Sequence, residues 1–234
     1  MKSSIQDKSK LVNSVFSRVY KKYDLMNDIM SLGIHRIWKN KLIDWMNPQV
    51  DESLIDVASG TGDIARLFSK KNNNSANISC VEPNDEMLKI GKVNLKKFKN
   101  IKWHKATGEK LPFKNNTYNF YTISYGIRNV SDINLSLKEA FRVLKPGGRF
   151  MCLEFSKIDN EIINFFYEQY SKVIPFFGKY IVGSSEPYNY LTKSIKEFHT
   201  QNQLVDLIKK NGFSNVEYRN LSNGISAIHS GWKI

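Results

Sequence analysis

The sequence predicts a single α/β domain on a mostly parallel sheet with helices on both faces, and three observations carry that expectation. Short apolar runs alternate with helical stretches along the middle of the chain. One of those runs leads straight into a glycine-rich turn that opens a helix. At 234 residues, the chain is long enough to bury one such core and short for two independent domains.

The elements read as follows. Val12, Val15, Phe16, Val19 and Tyr23 recur at helical spacing, as do Ile37, Trp38, Leu42, Ile43 and Trp45, so residues 9–46 read as helix, closed by Pro48. Residues 1–48 then form an N-terminal helical cap. Strand 54–58, helix 63–71, strand 78–82, helix 85–95, strands 101–105 and 120–125, helix 133–144 and strand 149–155 follow. Residues 157–198 break the pattern, with an aromatic and aliphatic stretch from Ile162 to Ile181 that is either a helix buried against the sheet or a lid and groove on the substrate side. Helix 200–211 and two β runs, 216–221 and 225–230, joined at Ser222, Asn223 and Gly224, end the chain.

Composition narrows the class. The chain is 41% hydrophobic and 24% charged, and no apolar run approaches the roughly 20 residues that span a bilayer. The first residues lack the apolar block of a signal peptide and carry Asp7, so the cytoplasm is expected. Cys80 and Cys152 lie inside apolar runs and read as core residues, with no disulfide framework and no metal expected. A net charge of +13 suits nucleic acid, an anionic membrane face, or a merely solvated lysine surface.

The most specific local signal is the run from Leu54 to Asp63. Asp56 lies on the strand, and Gly60, Thr61 and Gly62 make a turn where backbone can approach a ligand. Glu82 ends the next strand, about twenty residues on, where an acid accepts hydrogen bonds from two ribose hydroxyls. A dinucleotide site shares this arrangement, and Ala65 supplies part of its fingerprint, so that alternative stays open. Asp56 with the Gly60 turn resembles instead the first motif of class I methyltransferases. Thr107, Gly108 and Ser124 sit at carboxyl ends of later strands, where ligands of open α/β sheets bind.

Two longer segments narrow this further. Tyr23-Asp-Leu-Met-Asn27 with Ser31, His35 and Trp38, and the run from Arg142 to Ser156, resemble the signatures of the ubiquinone and menaquinone biosynthesis C-methyltransferases. The run from Ile123 to Asn129 resembles that family's active-site strand, and the likeness extends from about Phe16 to the end. Ser59, where the family usually has glycine, and Glu82, where aspartate is commoner, depart from it without hindering cofactor binding. The resemblance implies a Rossmann-like class I methyltransferase fold, a seven-stranded mostly parallel sheet with an antiparallel last strand. It implies S-adenosylmethionine as cofactor, touching Thr61, Glu82, Thr107, Gly108 and Ser124, and C-methylation of a polyprenyl quinol, either a demethylmenaquinol or a methoxy-polyprenyl-benzoquinol. Peripheral contact with the inner face of the membrane follows from such a substrate. A quinone-biosynthesis complex and an oligomer stay open.

For chemistry, a donor or cation that stabilises a phenolate makes the ring carbon nucleophilic, and Arg128 just past the fourth strand is the first candidate as a fixed charge. Tyr23, Asp24 and His35 are further candidates, His35 as a base or as a tie between helices. A nucleic-acid methyltransferase would explain the charge, but its Asn/Asp-Pro-Pro-aromatic motif is missing and neither cysteine is placed as a nucleophile, so no nucleic-acid partner is expected. A non-catalytic membrane-surface partner is the remaining alternative.

Overall fold

A computed structural model describes residues 33–158 and 186–234, together with Val12, Ser14, Ser17, Asp28, Ser31, Glu161 and Gln169. Tyr23 and Asp24, like the apolar and aromatic residues of 162–181, lie outside the described residues.

Within them the helices are α1 (His35–Met46), α2 (Asp63–Lys71), α3 (Asp85–Asn94), α4 (Ile133–Val143), α5 (Glu186–Glu197) and α6 (Gln201–Lys210). The strands are β1 (Leu54–Val57), β2 (Ile78–Val81), β3 (Ile101–His104), β4 (Tyr118–Ser124), β5 (Leu144–Phe155), β6 (Ser214–Leu221) and β7 (Ser226–Trp232). One sheet holds them in the order β3-β2-β1-β4-β5-β7-β6. The pairings from β3 to β5 are all parallel, and β7 runs antiparallel to both β5 and β6. This is the expected seven-stranded sheet.

Local chemistry sets the boundaries. Within 9–46, which reads as helical, Gly33 interrupts the spacing, because its φ of 76° lies outside the right-handed helical region. α1 therefore starts at His35, and it stops where Asn47 turns left-handed and returns its N–H to Ile43, just before Pro48. At α3, Asn84 caps the helix by accepting from the N–H groups of Glu86 and Met87. Thr200 and Gln203 close a reciprocal capping box on α6.

Side chains alternate along the strands into two apolar cores. Met151, Leu153 and Phe155 of β5 face α1, α2 and α5, through Leu42, Phe68 and Tyr188 among others. Phe150 and Cys152 face α4 and α6, through Leu137 and Ile208. Helix α5 was not foreseen as a separate element, yet Tyr188, Leu191 and Ile195 bury it in the first core. Cys80 and Cys152 are free and buried, and burial pushes both thiols up, so they stay protonated core residues.

The chain leaves β1 towards β2 and β3, then returns to β4 on β1's other side. The loops after β1 and β4 therefore diverge and leave a crevice at the carboxyl ends of the strands. One packing constraint shapes its floor. A Cβ at Gly91 of α3 would stand 2.1 Å from the Trp103 ring, and one at Gly62 would stand 2.5 Å from Leu95 Cδ1 and 3.1 Å from Trp103. We expect Gly91→Ala to cost roughly 1–3 kcal/mol by overpacking, read by urea denaturation, and Trp103→Leu to recover part of the loss in the double variant.

Candidate functional site

A cavity of about 290 Å³ opens at that crevice, near the lower end of the range for small-ligand pockets. Its walls come from four strand ends: Ala58 and Gly60 after β1, Glu82 and Asn84 after β2, Thr107 to Glu109 after β3, and Tyr125 and Gly126 after β4. Val12 reaches it from the N-terminal segment, and Asn129 to Ser131 close the far side.

Glu82 organises the near side. Its carboxylate accepts the N–H of Gly60 and the N–H of Asn84, each at 2.9 Å, and so ties the first loop to the start of α3. Gly60 can offer its N–H there because it adopts a φ of 57°. Burial pushes the Glu82 carboxyl up to about 7 in spite of those two bonds. Two N–H donors leave a carboxylate with lone pairs to spare, and a vicinal diol is the donor pair that fits them.

A second, smaller well of about 20 Å³ shares Ala58 and Tyr125 with the cavity as lining residues. Asp56, Thr61 and Ser124 line it, with Lys39 and Asp63 at its edge. Asp56 is 1% exposed; Thr122 donates to its Oδ1 at 2.8 Å, whereas Oδ2 and the buried Ser124 Oγ have no partner. Burial pushes Asp56 up to about 7, partly opposed by the Thr122 bond. Unfilled buried acceptors point to a ligand that brings donors. Ala58 (φ 53°) and Tyr125 (φ 55°) hold left-handed backbone in this shared lining, strain of the kind that accumulates at binding sites.

The predicted cofactor residues thus divide. Gly60, Glu82, Thr107 and Gly108 line the larger cavity; Asp56, Thr61 and Ser124 line the well. Gly62 lines neither, and a Cβ at that position would meet Leu95 and Trp103. Sequence reasoning passed over Lys39, Asn129 and Tyr190, whose hydroxyl donates to Asn129 Oδ1 at 2.9 Å. The only signal for them was adjacency to Trp38 and Arg128, or a place in a helix not foreseen.

The catalytic candidates fare differently. Arg128 lines neither space. It is 6% exposed and its Nη1 pairs with Glu154, itself 1% exposed, while also donating to the Tyr125 carbonyl at 2.9 Å. The expected free positive charge is therefore already neutralised by a carboxylate. His35 is also away from both spaces among the described residues; its Nδ1 lies 2.9 Å from Ser31 Oγ, and burial pushes it down to about 4. It is neutral near pH 7 and ties α1 to the preceding turn.

A family model described as the ubiE/COQ5 methyltransferase family matches residues 3–233. The chain is 49% identical to the ubiquinone/menaquinone biosynthesis C-methyltransferase UbiE of Rickettsia bellii over 100% of this chain and 96% of that protein. It is 50% identical to the UbiE of Rickettsia prowazekii, over 96% of this chain and 93% of the relative. A solved SAM-dependent methyltransferase of Thermotoga maritima, described as a possible histamine N-methyltransferase, superposes with a TM-score of 0.66 at 21% identity, covering 94% of this chain and 99% of its own. Another from Aquifex aeolicus gives 0.62 at 15% identity, covering 84% and 89%. At such identities the two solved structures speak for the fold.

Two predictions follow from the buried charges. Arg128→Met strands Glu154 and is expected to cost about 3–5 kcal/mol in chemical denaturation, with Glu154→Leu restoring much of it. Glu82 and Asp56, raised to about 7, hold protons that the unfolded chain has released above about pH 4, so the stability these two groups contribute is lost as pH rises from there to about 7, whereas His35 and His229, pushed down to about 4, act in the opposite sense up to about pH 6.5. Denaturation of the native chain and of Glu82→Gln at pH 5 and pH 7.5 isolates the Glu82 part: between those pH values the native chain should lose about 2–3 kcal/mol relative to the variant.

Proposed function

The chain belongs to the ubiE/COQ5 methyltransferase family, and from that premise we propose that it transfers a methyl group from S-adenosylmethionine to a ring carbon of a polyprenyl quinol in ubiquinone or menaquinone biosynthesis, or both. Near 49% identity across the whole chain to proteins bearing that activity in their names carries the reading. The cavity is compatible with it, since the cofactor's ribose diol and ammonium are donors and the buried oxygens of Glu82, Asp56 and Ser124 are acceptors.

When bound, the cofactor supplies a methyl group on a sulfonium, open to in-line displacement. The chain's own task is then to hold, align and dehydrate. Glu82 would take the ribose hydroxyls and thereby register the nucleoside against the Gly60 loop. Thr107 and Gly108 would bound the adenine side, and Thr61, Asp56 and Ser124 the amino-acid side. Arg128 acts as a positioning residue: with Glu154 it pins the turn from Tyr125 to Asn129, which presents Asn129 and Val130 to the cavity. Tyr23, Asp24 and His35 are candidates for taking the phenolic proton; of these, His35 is neutral near pH 7 and lines neither space. A prenyl tail is held in a bilayer, and no helix among the described residues is long and apolar enough to cross one. Peripheral contact with an anionic inner face through the net charge of +13 suits both facts.

With methyl-labelled cofactor and both benzoquinol and naphthoquinol acceptors, the label is expected on a quinol ring; label appearing only on other acceptors, such as nucleic acid, contradicts the reading. Glu82→Ala is expected to weaken cofactor binding by roughly 1.5–3 kcal/mol, measured by calorimetry.

A further inference from the structure

Lys39 is an unusual side chain in its setting. It is 7% exposed, although its four methylenes would let the ammonium reach water from most positions on α1. Its Nζ lies 2.8 Å from Asp63 Oδ2. Asp63 does not depend on that contact alone, because Arg66 Nη2 lies 3.1 Å from its other oxygen. Burial alone would raise Asp63, yet Lys39 and Arg66 together hold it down at about 2. A buried ammonium is costly, and here its partner is shared.

The same well is lined by Asp56 and Ser124, whose Oδ2 and Oγ are buried and without partners. The lining thus offers both a cation and acceptors, around a space of about 20 Å³ that holds one water-sized group. The well shares Ala58 and Tyr125 with the nucleoside-sized cavity. The complement of this arrangement is a zwitterion: an ammonium that enters the well and a carboxylate that stays at its mouth.

We infer that Lys39 turns from Asp63 to the carboxylate of the cofactor's amino-acid end, while Asp56 and Ser124 receive its ammonium, so that Lys39 selects nucleosides that carry an amino acid. The inference rests on the cofactor reading above and adds a residue to it. Arg66 keeps Asp63 paired when Lys39 moves, so the switch strands no charge. Glu82, which lines the larger cavity and not the well, takes no part in this selection.

Two probes separate the ends of the ligand. S-adenosylhomocysteine has the nucleoside and the amino acid; 5′-methylthioadenosine has the nucleoside and thioether alone. By calorimetry, Lys39→Met is expected to weaken the first by roughly ten- to hundredfold and leave the second within about twofold. Lys39→Arg should retain most of the affinity, and Asp56→Asn should repeat the selective loss. Glu82→Gln should weaken both ligands. Retained binding of 5′-methylthioadenosine shows that the Lys39 variant is folded. Equal losses for both ligands, or no loss for either, overturn the inference while leaving the cofactor reading intact. A native protein that binds neither probe overturns both.

Discussion

The carboxylate of Glu82 joins the two backbone turns on which the cleft depends. The first carries Gly60 at a left-handed φ, and the second begins α3 at Asn84. Each gives the carboxylate one N–H, and without it both donors would be buried and unpaired, at a cost of about 1–3 kcal/mol apiece. The bonds do not fully offset the burial of the charge, which is why the group stays raised to about 7. The same carboxylate lines a cavity at the point where the strand order diverges, with lone pairs to spare for further donors.

Glu154 shows the opposite use of the same side chain. It is also buried near the carboxyl end of its strand, and burial raises it, but Arg128 lies against it and two backbone N–H groups add to the pairing. Such a completed pair stiffens rather than binds. It locks the turn that begins at Tyr125, and through Asn129 and Tyr190 it links that turn to α5. One acid therefore leaves the cleft open to a ligand while the other makes its far wall rigid. The strained backbone of Ala58 and Tyr125 lies between these two anchors.

Periodicity and glycine chemistry made most of the sheet legible. β1, α2, β2 and α3 begin and end within a residue of their expected bounds, because apolar runs there are bracketed by Gly62, Asn84 and similar stop signals. Gly33 was a stop signal too, but the apolar spacing on either side of it concealed the break before His35. Helix α5 was hidden for another reason: its buried residues, Tyr188, Leu191 and Ile195, follow a longer aromatic stretch that dominates the local pattern. At the site, Glu82 was legible from its distance to the glycine turn. The pairing of Arg128 with Glu154 was not, since the two are 26 residues apart and only the β4 and β5 register brings them together. Lys39 was illegible for the same reason: nothing local to α1 reveals that it meets the first turn of α2.

If Glu82 accepts the ribose hydroxyls of the cofactor, the hydroxyls and the carboxylate are energetically coupled, and a thermodynamic cycle between ligand and protein measures that coupling. Binding of S-adenosylhomocysteine and of its 2′,3′-dideoxy analogue would be measured by calorimetry to the native chain and to the Glu82→Gln variant. Removing both hydroxyls should cost the native protein roughly 1.5–3 kcal/mol and the variant much less, so that the two changes are strongly coupled. Equal losses in both proteins would mean that the hydroxyls are held elsewhere, and the site as described would not stand.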